Sequence, residues 1–487
     1  MTGARFLTLA PLQVVQALVG FGALAAFTRL MSAEEFGRYA LALSLSMAAH
    51  TLLFTWAESA AFRFFSISQA ARRTADHYAT LIAIALALGL ATLLVTGLIL
   101  TNAGFSAEAN TLAAFVAGAA VLRFITRLGR ESDRAALAFG RYAVLETAYL
   151  ALGFASGIAF LTVIDLGPAA PFAGLALGGA IIVLIDAPRL YRNAKGGFVT
   201  ITRGRRYAVY GAPLALALAV DLGVQAIARI MVSAQAGDAA LGSYAAAFGL
   251  ARPLDLIFVG VSAAFAPIIF AAFEKDGADA ARKAASDAFA LLAALALPAC
   301  VGLALVAEPL AALMVGESVR TEAALVLPWL ALAGLFSGFA LYYWSEAFQL
   351  TQRTGLRALL MLAPGAIQLS ATFALTPIYG ALGAAMAATC GAAIACCLLA
   401  VVGRGLFALP VNISALARAS VATAVMAAGL TALPPGATLV TQIFIGGALY
   451  VIAAIALDLL GARKRTSALL QALVTKLRRF SLSHGLK

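Results

Sequence analysis

About fourteen apolar stretches of about twenty residues follow one another along the chain, and basic residues crowd every second connection between them. A helix of about 20 apolar residues crosses a bilayer and satisfies its own backbone groups in lipid. No strand-period alternation competes with that reading. The stretches lie near 8–29, 38–58, 78–100, 109–127, 143–164, 170–190, 208–231, 243–270, 284–306, 323–347, 356–376, 381–403, 412–432 and 438–460. Charged residues are 11% of the 487 and hydrophobic ones 63%. A soluble domain carries about a quarter charged residues, so a soluble chain of this make-up could not cover its own surface. The pattern predicts an all-α polytopic membrane protein with about fourteen transmembrane helices.

Connections after even-numbered stretches are basic. They hold Arg63, Arg72 and Arg73; Arg127, Arg130, Arg134 and Arg141; Arg189, Arg192, Lys195, Arg203, Arg205 and Arg206; Arg353 and Arg357; Arg404 and Arg418. The C-terminal end adds Arg463, Lys464, Arg465, Lys476, Arg478, Arg479 and Lys487. Connections after odd-numbered stretches are short, neutral or acidic, with Glu108, Asp165, Asp238, Glu308, Glu317 and Glu322 beside a lone Arg320. The first is mixed, setting Arg29 and Arg38 against Glu34 and Glu35. Positive charge gathers in cytoplasmic loops, so both termini are expected in the cytoplasm. The net charge of +12 follows from this sorting and points to anionic lipid headgroups as neighbours. It does not point to nucleic acid, because the spans separate the cations and no aromatics interleave them.

Cys300, Cys390, Cys396 and Cys397 sit in apolar stretches without metal-ligand spacing, and His50, His77 and His484 form no cluster; the cysteines read as packing residues. No phosphate loop, dinucleotide glycine pattern, zinc motif or nucleophile elbow is found. No metal, no cofactor and no enzymatic activity is therefore expected. With no ATPase domain, energy has to come from a gradient, the membrane potential or substrate consumption. Arg5, an apolar run and Ala23-Leu24-Ala25 imitate a signal peptide, but this stretch is repeated later and is assigned to the mature fold.

The repeat is legible in two segments. Arg29-Leu30-Met31-Ser32-Ala33 leads to Gly37-Arg38-Tyr39-Ala40, and Arg229-Ile230-Met231-Val232-Ser233-Ala234 leads to Gly242-Ser243-Tyr244-Ala245. Stretches 5 and 11 both start after glycine and a basic residue (Gly140-Arg141; Gly355 to Arg357). Stretches 6 and 12 share small faces, Gly174, Gly178 and Gly179 against Gly380, Gly383 and Ala384. The copies are offset by six spans, an even number, so they share an orientation: two parallel six-helix repeats about an axis along the membrane normal, a recurrent transporter plan. Chance similarity between alanine-rich helices is the alternative. The expected organisation is an N-terminal lobe over 1–190, a linker over 191–207 and a C-terminal lobe over 208–403, the lobes flanking a central cavity. Extra helices 13 and 14 follow over 404–462, then a basic cytoplasmic tail over 463–487.

Four stretches carry a family resemblance: Arg29 to Ala40; Tyr210-Gly211-Ala212-Pro213; Leu330 through Tyr342-Tyr343-Trp344-Ser345-Glu346-Ala347 to Gln349, Thr351 and Arg353-Thr354-Gly355; and Thr376-Pro377-Ile378-Tyr379-Gly380-Ala381-Leu382-Gly383-Ala384-Ala385. In order and spacing they resemble the polysaccharide biosynthesis proteins, the Wzx-type oligosaccharide flippases of the multidrug/oligosaccharidyl-lipid/polysaccharide exporter superfamily, over nearly the whole chain. The chain departs at one point: such proteins often have an Asp-Arg pair late in span 7, and here Ala228 precedes Arg229. The resemblance implies a bacterial inner-membrane flippase that moves a polyprenyl-pyrophosphate-linked oligosaccharide from the cytoplasmic to the periplasmic leaflet. The glycan would serve a surface polysaccharide such as lipopolysaccharide or exopolysaccharide. The implied partners are that substrate, membrane lipids and a glycan polymerase with its export machinery; nothing demands more than a monomer. A cation-coupled drug antiporter of the same superfamily, a membrane glycan polymerase or ligase, and a non-transporting scaffold are the alternatives.

Ionisable groups inside spans are functional candidates by default. Arginine's fork suits pyrophosphate, so Arg252, Arg29, Arg229 and Arg63 are the expected pyrophosphate ligands. For Arg252 the competing reading is a self-neutralised pair with Asp255 one turn on. For Arg29 and Arg229 it is snorkelling to the interface, and for Arg63 a plain marker of the inside. Asp221, Asp255, Glu346 and Glu58 are the expected coupling or gating carboxylates. Asp221 reads as the most buried of them, and Glu346 could instead be interfacial, beside an aromatic belt of Tyr342, Tyr343 and Trp344.

Overall fold

Long apolar runs make long helices, here even across internal prolines, and the computed structural model, which describes residues 10–434 and 436–463, shows helices that outrun the hydrocarbon. They are α1 (Ala10–Leu30), α2 (Ala33–Leu53), α3 (Thr55–Ala70), α4 (Thr74–Asn102), α5 (Ala107–Ala135), α6 (Phe139–Ala159), α7 (Ala170–Ala194), α8 (Ile201–Asp276), α9 (Ala278–Leu305), α10 (Ala307–Met314), α11 (Glu317–Phe339), α12 (Ser345–Leu350), α13 (Thr354–Leu406), α14 (Ile413–Thr431) and α15 (Leu439–Ala456). Short π-helical turns, Phe160–Ile164 and Ala340–Trp344, extend α6 and join α11 to α12. No strand occurs among the described residues.

Among the described residues eleven helical segments are long and apolar enough to cross a membrane, and α2 with α3, bent by 48°, makes a twelfth. Two of these are too long for one crossing. The 76 residues of α8 would reach about 114 Å as a straight helix. The chain turns instead at Gly237 (φ 86°, ψ 166°) in α8 and at Gly380 (φ 58°, ψ −136°) in α13, backbone that only glycine adopts without strain. Counting each as two spans gives fourteen among the described residues, as the hydropathy pattern requires.

By contacts the chain divides into two units, Met1–Ala246 with Met314–Val319, and Ala247–Leu313 with Arg320–Lys487. The division falls within α8, whose first part packs with the first unit: a Cβ at Gly211 would lie 2.2 Å from the Trp56 carbonyl oxygen. The lobe limits read from the repeat remain a proposal, and the tail beyond Arg463 lies outside the described residues.

In the first unit Phe54 stacks on Phe124 (4.4 Å between ring centres) in a core with Leu81, Leu128 and Tyr207. In the second, Leu254, Phe258, Phe289, Tyr343 and Phe348 build the core between α8, α9 and the α11–α12 bend. The small faces foreseen on spans 6 and 12 each close on the span before. A Cβ at Gly174 would meet Gly153 and Gly157 backbone atoms at 2.4 Å, and one at Gly383 the Leu375 carbonyl oxygen at 2.3 Å. Such spacing lets backbones touch, the way small residues bring membrane helices together.

Many of the basic residues assigned to loops sit on helix ends instead. Arg63 is in α3, Arg127, Arg130 and Arg134 in α5, Arg189 and Arg192 in α7, Arg203, Arg205 and Arg206 in α8. Beyond the apolar run α5, α7 and α8 continue, and there Arg127, Arg130, Arg134, Arg189 and Arg203 find carboxylate partners, a pairing for which hydropathy has no term.

Candidate functional site

At the basic ends of the first unit, carboxylates and arginines form a buried network. Glu58, 4% exposed, receives His50 Nε2 at 2.8 Å and faces Arg127 Nε at 3.5 Å. Arg127 and Arg134 both face Glu131. Arg130, 2% exposed, pairs with Glu146. Arg189 bridges Asp133 and Asp186, and Arg141 reaches both of those carboxylates. Glu58 is therefore committed to this network. It does not share a face with Arg63: five residues on a helix put them about 140° apart. Arg63 points instead into an open cleft of about 610 Å³ whose walls include Arg205 and Arg206.

At the opposite ends of the spans, the two repeat copies meet at their matching glycines. A Cβ at Gly37 would lie 1.8 Å from the Asp238 carbonyl oxygen, and one at Gly242 would lie 2.4 Å from the Ala33 carbonyl oxygen. The Ser32 hydroxyl accepts from Glu35 N at 3.2 Å and the Glu35 carboxylate accepts from Ser32 N at 2.8 Å; this capping box starts α2 at the turn. Arg38 ties the contact laterally, to Glu108 at 2.5 Å and Asp238 at 3.8 Å. The Met314–Val319 turn joins it. Gly316 N donates to Thr28 Oγ1 at 3.0 Å, and a Cβ on Gly316 would be 1.9 Å from the Thr28 carbonyl oxygen. Thr28→Val would strand that buried N–H at a cost of about 1–3 kcal/mol, measurable as a lowered unfolding midpoint in detergent.

Arg29 and Arg229 flank this contact. Arg29 is exposed and its Nη1 donates to the Ala25 carbonyl at 3.3 Å. Arg229 is half-buried and donates to Ser44 Oγ, in α2, at 2.5 Å. The repeat brings equivalent cations to the same end, but their settings differ.

Arg252 is exposed and Asp255 half-buried, and among the described residues no salt bridge joins Arg252 to any carboxylate. Asp221 is exposed, which corrects its reading as the most buried carboxylate. Hydropathy places a residue within a span but does not say which face it occupies. The buried carboxylates are Glu58, Glu131, Asp133, Asp186 and Glu346.

Glu346 is 4% exposed, and its Oε2 has no hydrogen-bond partner. Tyr343 and Trp344 are also buried, Tyr343 donating to the Pro410 carbonyl at 2.5 Å. These aromatics are core, not an interfacial belt. Both lie in the π-helical turn Ala340–Trp344, and such bulges frequently mark functional positions.

Thus the arginines and carboxylates selected from sequence occupy several places. Missed altogether were the network partners Glu131, Asp133, Glu146 and Asp186, and the cleft residues Arg205 and Arg206. Glu131, Asp133 and Asp186 were visible as carboxylates spaced three or four residues from arginines; Glu146, whose partner Arg130 is sixteen residues away, was not. Among the described residues no group of histidines, cysteines and carboxylates could hold a metal.

The family model of polysaccharide biosynthesis proteins matches residues 26–321. No curated protein matches the chain. Among solved structures, the lipid II flippase MurJ in an inward closed conformation is similar with a TM-score of 0.72 at 15% identity, over 92% of this chain and 98% of that one. An inward-facing multidrug resistance MATE family transporter of the MOP superfamily gives 0.68 at 15% identity, over 82% and 96%. An outward-facing one gives 0.57 at 16% identity, over 85% and 95%.

Proposed function

The chain belongs to the polysaccharide biosynthesis protein family, and from that premise we propose that it flips a polyprenyl-pyrophosphate-linked oligosaccharide from the cytoplasmic to the periplasmic leaflet of a bacterial inner membrane. It is a multi-pass membrane protein with the fold shared by MurJ and the MATE transporters. Its both-termini-inside topology is part of the proposal.

The observation that carries the reading is Arg252. It lies within a span, exposed and in no salt bridge among the described residues, with Asp255 one turn on as its neighbouring carboxylate; a cation at such a depth is costly and attracts an anion. A pyrophosphate needs cations for the same reason, since burying its charge unpaired is prohibitive. Arg29 and Arg229 would receive the headgroup at the far ends, where the Gly37–Gly242 contact would part and re-form as access alternates. Glu346, buried with an oxygen to spare, is the coupling carboxylate we favour. Asp221 and Asp255 stay secondary candidates for that role, and Glu58 does not, because the network holds it.

The test is headgroup translocation in proteoliposomes, with a fluorescent polyprenyl-pyrophosphate oligosaccharide under an imposed pH gradient or potential. Arg252→Ala is expected to slow translocation about 10- to 100-fold, the loss of one or two charge-assisted hydrogen bonds of about 1.5–3 kcal/mol. Wild-type rates in a folded Arg252→Ala protein would remove Arg252 from the pathway. No translocation by folded wild type across several glycans would overturn the flippase reading.

A further inference from the structure

At the basic ends of the first unit, Arg127, Arg130, Arg134, Arg141, Arg189 and Arg203 each face a carboxylate. Arg63, Arg205 and Arg206 face none among the described residues, although all three line one cleft between the end of α3 and the start of α8. Three exposed arginines gathered in one cleft without a counter-charge make a local positive potential that draws anions to it.

The cleft is held in shape from below. Tyr207 hydrogen-bonds His77 at 2.5 Å, and Arg203 pairs with Asp76 at 2.9 Å, which fixes the start of α8 on α4. Phe64 stacks on Tyr207 at 4.9 Å and receives the Tyr210 edge at 5.4 Å. The Arg206 guanidinium lies 5.0 Å from the Phe64 ring centre, a cation–π contact that orients it. Beside the arginines, Ile67, Val209 and Tyr210 leave apolar surface exposed. A free phosphate has no use for that surface; a phosphate carrying a hydrocarbon chain does.

We propose that this cleft is the loading site for the lipid carrier of the substrate. Arg63, Arg205 and Arg206 hold the diphosphate by forked hydrogen bonds, and Ile67, Val209 and Tyr210 take the first isoprenyl units. The proposal rests on the flippase reading. It places capture of the carrier at the unit surface, separate from Arg252.

The test uses the full chain in phosphatidylcholine nanodiscs with undecaprenyl diphosphate as the probe and native mass spectrometry as the readout. Phosphatidylglycerol and inorganic pyrophosphate are the comparison ligands. Wild type is expected to retain undecaprenyl diphosphate about tenfold or more better than R63A/R205A/R206A, and better than it retains either comparison ligand. R63K/R205K/R206K, which keeps the charge without the fork, is expected to fall between and serves alone if the alanine variant does not fold. Binding unchanged in either variant overturns the site. Equal retention of phosphatidylglycerol reduces it to a general anionic-lipid patch and overturns it as a carrier site, and equal binding of inorganic pyrophosphate removes the lipid. Unchanged binding alongside wild-type translocation would sink the cleft alone, whereas a wild type that never translocates would sink the flippase reading itself.

Discussion

Replacing Gly37 with leucine is expected to abolish net translocation while leaving the protein folded. The first added carbon would lie 1.8 Å from the Asp238 carbonyl oxygen. That obstacle is backbone and has no rotamer to swing away. Overpacking of a tight contact costs about 1–3 kcal/mol even where side chains yield, so the contact between the repeat copies should be lost by a factor of about 10 to 100 or more. Each helix can keep its own hydrogen bonds, so the cost falls on the contact. In the proposed cycle that contact is one of the two states the protein must visit. The check is a single cysteine at Ala40, buried in the same helix one turn on, in a background whose four native cysteines are replaced. Gly37→Leu should expose it to a membrane-impermeant thiol reagent from the periplasmic side and stop transport. Gly97→Leu, where nothing lies within 4 Å of the added carbon, should do neither. Full transport by Gly37→Leu would show that the contact is not part of the cycle.

The largest loss of stability is expected from Arg189→Ala. Arg189 bridges Asp133 and Asp186, which are 3% and 5% exposed. Removing one partner of a buried pair strands the other charge and costs about 3–5 kcal/mol. Here the lower end applies, because Arg141 still reaches both carboxylates. Neutralising them as well, in Asp133→Asn with Asp186→Asn, should restore part of the loss. Arg282→Ala, which breaks a pair with the fully solvated Asp279 and a cation–π contact with Phe407, should change stability by no more than about 1 kcal/mol. Unfolding titrations in mixed micelles would rank the variants. Equal effects for Arg189→Ala and Arg282→Ala would mean the network is hydrated and structurally idle.

Chain composition and the spacing of apolar runs decided that this is an all-helical membrane protein with fourteen spans, because lipid leaves a crossing helix almost no alternative. The Gly-x-Tyr-Ala repeat and the glycine faces of spans 6 and 12 were readable too, since close backbone approach demands small residues at fixed spacing. Pairing was not readable. Position in a span offers Glu58 as a free coupling group, yet it turns to His50 and Arg127; it suggests a buried Asp221, yet Asp221 is exposed; it sets Glu346 beside an aromatic belt, yet Tyr343 and Trp344 are core. In each case the sequence placed the residue along a span, while the rotation of its helix and the identity of the facing helix decided its environment. The same holds for Arg205 and Arg206, plain basic-loop residues in one dimension. Only tertiary structure set them beside Arg63, with no salt bridge to a carboxylate among the described residues, because electrostatic partnership depends on distances between helices that hydropathy does not encode.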